Sequence, residues 1–316
     1  MSLCRIRVAK LDPQSDSPLP DLFFATLGFE GRATHIPSLY RPMASKEVAF
    51  GFDDRHVLQY ERNLSWFKSN GFEVNDFVSD RDFARVVRPL LDDLVADKAS
   101  PQICIDISSI NRYRLAVLID HLRLLGSRKI LNVDFLYSLG KFSEPPGEIA
   151  PNTHFGPVSN EFAGWTVDPN KPPVSIVGLG YEEGKAIGAV EYLQSDETWV
   201  FIPESPESEY HSRVLDVNEL LLQGIRDSLK IVYRVDDPID CFEKLESLVY
   251  GLSRDRRAVL LPFGPKIFSL IAMLVACRYP EVSVWRVSAQ NTEVAGDREA
   301  SGHVIGLKVF FEPGVG

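Results

Sequence analysis

At 316 residues the chain has room for two ordinary domains or one large α/β domain, and a composition of 45% hydrophobic and 25% charged residues excludes fibrous or disordered architecture. Its 44 Asp and Glu against 34 Lys and Arg give a formal charge of −10, which repels polyanions. That charge excludes a broad basic face for duplex nucleic acid and leaves room for a small basic pocket. The first ten residues carry Arg5, Arg7 and Lys10 with no apolar stretch behind them, and apolar runs such as 270–277 fall far short of the ~20 residues that a spanning helix needs. The expectation is a cytoplasmic protein without membrane contact, its scattered cysteines (Cys4, Cys104, Cys241 and Cys277) being buried free thiols.

In chain order the first half reads as a strand at 22–27, a glycine turn, a helix-length stretch, a strand at 47–52 and an amphipathic helix at 55–70. A strand at 72–78, a helix at 82–97, an apolar strand at 102–107, a helix at 112–125 and a strand at 130–137 complete it. The same order recurs from residue 173: strand 174–177, glycine turn, helix to 193, strand 199–202, helix 210–223, strand 230–235, helix 238–252, strand 258–261, helix 267–277 and strand 282–287. Between the halves, prolines at 145, 146, 151, 157, 169, 172 and 173 mark a connection, and 304–311 alternates loosely, as an edge strand would.

This repetition predicts a tandem duplication with a first unit over 1–140, a Pro-rich connection over 141–172 and a second unit over 173–316. Leu27-Gly28-Phe29-Glu30-Gly31-Arg32-Ala33 stands opposite Leu179-Gly180-Tyr181-Glu182-Glu183-Gly184-Lys185-Ala186, with one residue inserted. The helix beginning at Asn111-Arg112 stands opposite the one at Pro265-Lys266, and Arg55 opposite Arg213 near the start of each second helix. Strands alternating with helices of this length indicate an α/β fold of two Rossmann-like units, each a mostly parallel sheet with helices on both faces, in pseudo-twofold association.

Open parallel sheets bind ligands beyond the carboxyl ends of their strands, at the point where strand order reverses, so the loops after the first and fourth strands of each half are the candidate site. The fourth-strand loops, Ser108-Ser109-Ile110-Asn111-Arg112 and Pro262-Phe263-Gly264-Pro265-Lys266, each open a helix, where unpaired amides and the positive dipole end suit a phosphate. The candidate ligand contacts are Gly28, Arg32, Ser108, Ser109, Asn111 and Arg112 in the first half and Gly180, Lys185, Gly264 and Lys266 in the second. The alternative assignment makes Ser109 and Asn111 helix caps and Arg112 a surface residue. Gly178-Leu179-Gly180 with Gly184 invites a dinucleotide reading, but Glu182 and Glu183 in the turn would repel a pyrophosphate, so no cofactor is expected. The histidines form no metal-binding pair at helical spacing, so no metal is expected either. Glu30 and Glu182 are the paired candidates for acid or base catalysis, should the protein be a nucleotide or nucleoside hydrolase.

Two Rossmann-like units with glycine turns after the first strands, and with Phe263-Gly264-Pro265-Lys266 leading into a helix, resemble the CRISPR-associated Rossmann-fold sensor domains and their fused two-copy relatives in bacterial anti-phage signalling. The resemblance covers 21–139 and 173–290. It implies a cleft between the two units that binds a small nucleotide or cyclic oligonucleotide, sometimes with slow cleavage of that ligand. The family's Gly-Gly-Thr-Lys form is absent, Ser108 to Arg112 standing in its place in the first half, and no effector module is left over. A sensor of this kind passes its signal to a separate partner protein; a ligand-free scaffold subunit is the third alternative.

Overall fold

The computed structural model describes residues 4–13, 19–40, 44–144, 152, 154–165, 168–288 and 295–314. They form two units, Met1–Lys141 with Ala295–Gly316, and Phe142–Val294. In the first, strands β1 (Cys4–Lys10), β2 (Leu22–Thr26), β3 (Lys46–Phe50), β4 (Glu73–Asn75), β5 (Gln102–Asp106) and β6 (Leu131–Gly140) alternate with helices α1 (His35–Leu39), α2 (Tyr60–Ser69), α3 (Asp80–Asp97) and α4 (Arg112–Gly126). The second carries β7 (His154–Pro157), β8 (Pro173–Gly178), β9 (Glu197–Glu204), β10 (Lys230–Arg234), β11 (Arg257–Pro262) and β12 (Ser283–Ser288). Its helices are α5 (Lys185–Leu193), α6 (Ser208–Val217), α7 (Glu219–Gln223), α8 (Pro238–Leu252) and α9 (Lys266–Arg278). The last strand, β13 (Ala300–Pro313), returns to the first sheet.

Strand order confirms the α/β class and the duplication at the level of topology. The parallel core of the first sheet runs β4-β3-β2-β5-β6 and that of the second β10-β9-β8-β11-β12. Numbered within each half, both read 3-2-1-4-5, with the reversal between the first and fourth strands. Registers match as well: Thr26 lies opposite Phe50 as Gly178 lies opposite Phe201, and the next amides, Leu27 and Leu179, both reach those partners' carbonyls at 2.9 Å.

Local sequence explains the elements. Leu22–Thr26 is buried throughout, as a central strand covered on both faces must be. Phe24 stacks on Phe50 at 4.9 Å, and Phe83 of α3 meets both rings edge-on, tying that helix to the sheet. The four-residue spacing of Phe83, Val87, Leu91 and Val95 gives α3 its buried stripe, and the Ser79 hydroxyl caps it by accepting from the Asp82 amide at 3.1 Å. Helix α9 is apolar on all sides, and every residue from Ile267 to Ala276 is buried.

Several expectations are corrected. The helix-length stretch expected after the first strand holds only a 3-10 turn (Gly31–Thr34) and α1, and the helix expected at 55–70 begins at Tyr60. Arg55 therefore lies in a loop, with φ of +59°, whereas Arg213 lies inside α6, so these two arginines do not correspond. The helix expected at 210–223 breaks at Asn218 into α6 and α7. Part of the 141–172 connection belongs to the second sheet: β7 pairs antiparallel with β12, and Phe162 is buried; residues 145–151, 153, 166 and 167 of that connection lie outside the described residues. The tail does not extend the second unit. Strand β13 lies between β1 and β6, antiparallel to both, and β1 forms the edge.

All four cysteines are free, Cys104 and Cys241 buried and Cys4 and Cys277 only partly so. Burial pushes the Cys104 and Cys241 thiols well above their ordinary pKa, which keeps them unreactive. Among the described residues no helix is long and apolar enough to cross a membrane.

Candidate functional site

In each unit the loops after the first and fourth strands meet at the order reversal. A Cβ on Gly28 would fall 2.7 Å from the Ser109 Cβ, so glycine alone lets these two loops approach in the first unit. In the second unit Gly180 and Gly264 interlock: a Cβ on Gly180 would sit 2.7 Å from the Phe263 carbonyl oxygen, and one on Gly264 2.7 Å from that of Leu179. The amides of Phe263 and Gly264 both donate to the Gly178 carbonyl, at 2.9 and 3.0 Å, which fixes the turn into α9.

The first-strand loop of the first unit carries a buried ionic network. Arg32 is only 4% exposed; its Nε donates to Glu30 Oε2 at 2.6 Å and its Nη1 to the Ser138 carbonyl at 2.9 Å. Burial alone would lower the guanidinium pKa, but Glu30 beside it reverses the balance and raises it, so Arg32 is permanently charged. The other Glu30 oxygen accepts from Arg298 Nη1 at 2.7 Å. Asp297, the preceding residue, accepts from the Gly31 amide at 2.7 Å and from the Gln59 side-chain amide at 3.1 Å. Glu30 and Arg32 thus neutralise each other within the loop.

The fourth-strand loop of the first unit is likewise self-satisfied. Ser108 is fully buried; its hydroxyl donates to Asp106 and accepts from the Ser138 amide at 2.8 Å. The Ser109 Oγ is enclosed without a hydrogen-bond partner. Asn111 caps α4, its side-chain oxygen accepting from the Arg114 amide at 2.8 Å while its amide donates to both Asp80 oxygens at 3.0 and 2.9 Å. Arg112 is the first residue of α4 and half-buried. Ser108 and Asn111, expected to read the ligand, also hold the loop together.

The second unit differs where it matters for an anion. Lys185, an expected phosphate ligand, is buried and pairs at 2.9 Å with Glu182, an expected acid or base. At the fourth-strand loop, however, the N-cap residue of α9 offers no side-chain hydrogen bond. Its N-cap is Pro265, in extended conformation, and Lys266 is its first residue. The register of the two units makes Ser109 and Gly264 equivalent, so the same loop that carries a side chain and a capping Asn111 in the first unit carries neither in the second.

Three residues outside the expected site organise the loops at this end of the sheets. Asn63 on α2 donates its amide to the Gly28 and Glu30 carbonyls at 2.9 Å each, and Asn218 donates to the Gly180 and Val214 carbonyls at 2.8 Å each. These buried asparagines are the true counterparts in the second-helix region of each half. Their alignment is hidden in sequence because Asn218 falls at the break between α6 and α7. The third is Arg114, a fully buried side chain that donates to Asp80 at 2.8 Å, to the Gly51 carbonyl at 2.7 Å and to the Val78 carbonyl, with its guanidinium 3.8 Å above the Phe52 ring. Burial pushes its pKa below the ordinary arginine value, and Asp80 opposes that shift.

Compared with models of known protein families the chain matches none, and no curated protein matches it.

Proposed function

We propose that the protein is a nucleotide-binding sensor that takes a small phosphorylated ligand, a nucleotide or cyclic oligonucleotide, at the switch-point loops of its Rossmann-like units. The observation that carries this reading is the amino end of α9, opened by Lys266 and preceded by Gly264, at the reversal of strand order in the second sheet. Its dipole end is positive and the lysine at its first position adds a full charge, which together suit a phosphate. Basic residues are normally disfavoured at helix starts, yet Arg112 and Lys266 each occupy the first position of the helix after the fourth strand. A role in anti-phage signalling through a separate partner protein extends this reading on the strength of the resemblance to the CRISPR-associated sensor domains.

The hydrolase alternative is weaker, because Glu30 and Glu182 are each engaged by a basic side chain of their own loop. In thermal-shift measurements against a nucleotide panel, the cognate ligand at ~100 times its Kd is expected to stabilise the protein by about 2.7 kcal/mol and raise its Tm by several degrees. Lys266→Ala combined with Arg112→Ala is expected to abolish that shift. A shift of unchanged size in the double variant would overturn the assignment.

A further inference from the structure

We infer that the segment 295–299 is an autoinhibitory strap, whose Asp297 carboxylate occupies an oxyanion position at the first-strand loop of the first unit and is displaced by a phosphate-bearing ligand. The inference deepens the sensor reading by naming a gate at one of its loops. Asp297 lies 266 residues from Gly31, yet its two oxygens divide between the Gly31 amide at 2.7 Å and the Gln59 side-chain amide at 3.1 Å. Two donors from separate segments converging on the two oxygens of one carboxylate also suit two non-bridging oxygens of a phosphate.

The strap has its own anchors and does not depend on Asp297 for its course. The Arg298 carbonyl accepts from the Arg32 amide at 3.0 Å, the Arg298 side chain pairs with Glu30, and the Glu299 carbonyl accepts from the Lys141 amide at 2.8 Å.

Calorimetric titration of the full chain with inorganic phosphate tests this directly. Asp297→Ala and the isosteric Asp297→Asn are each expected to bind phosphate at least tenfold more tightly than the native chain, whereas Glu299→Gln, which removes a charge from the same strap without touching the Gly31 or Gln59 donor, leaves the affinity unchanged. Equal gains in all three variants would reduce the effect to overall charge and overturn the strap. So would no gain in a folded Asp297→Asn protein, or failure of that variant to fold, which would make the carboxylate structural. Repeating the titration in the Lys266→Ala, Arg112→Ala background separates the two proposals: a phosphate gain that persists there while nucleotide binding is absent from the native chain supports the strap and sinks only the sensor reading.

Discussion

Replacing Arg114 by methionine is expected to destabilise the first unit by about 3–5 kcal/mol, the range for removing one member of a buried, hydrogen-bonded charge pair. The loss comes from several sources at once. The Gly51 and Val78 carbonyls lose their donor, each costing on the order of 1–3 kcal/mol if left unpaired, and Asp80 loses its closest counter-charge. Asp80 is partly exposed and keeps two bonds from Asn111, which softens the electrostatic part. A downward shift of the urea midpoint, followed by circular dichroism, reads the effect. Arg114→Lys should recover only a fraction, because an ammonium lacks the planar fork that meets three acceptors and lies flat on Phe52. A midpoint within experimental error of the native value in Arg114→Met would show that the loops after β3 and β4 do not depend on this clamp.

The second large effect is expected from Glu30→Gln, on the order of 3–5 kcal/mol. Both carboxylate oxygens face arginines, at 2.6 and 2.7 Å, and Arg32 is too deeply buried to be rescued by water. The variant leaves two guanidinium groups without their common counter-charge. Because Glu30 is also the acid or base of the hydrolase alternative, the same substitution separates the two roles. A structural Glu30 lowers Tm by several degrees whatever the substrate; a catalytic one lowers turnover of a nucleotide with Tm unchanged.

The duplication was legible because its carriers are local. Period-two and helical apolar patterns locate the strands and helices, and the Leu-Gly pairs at 27–28 and 179–180 mark equivalent turns whose equivalence the strand register confirms. The start of the helix after the fourth strand, at Arg112 and Lys266, was legible for the same reason. What sequence does not show depends on pairing partners. Arg32 and Lys185 look like free cations in isolation, yet each has a glutamate two or three residues earlier that reaches it once the turn forms. Asn111 and Ser108 suit either capping or recognition by sequence, and the structure adds their bonds to Asp80 and Asp106. Long-range partners were beyond reach: Arg114 meets an aspartate 34 residues away, Gly31 meets one 266 residues away, and β13 pairs with a strand of the other half. Alternation marks a strand but carries no information about its neighbour.

The central claim, that the switch-point loops take a nucleotide, is tested most directly by mass spectrometry of small molecules released on denaturing the protein purified from its native cells. A phosphorylated nucleotide, linear or cyclic, is expected in the released fraction, and it should fall to background in protein carrying Lys266→Ala and Arg112→Ala. A native protein that releases no more nucleotide than the double variant would contradict the assignment.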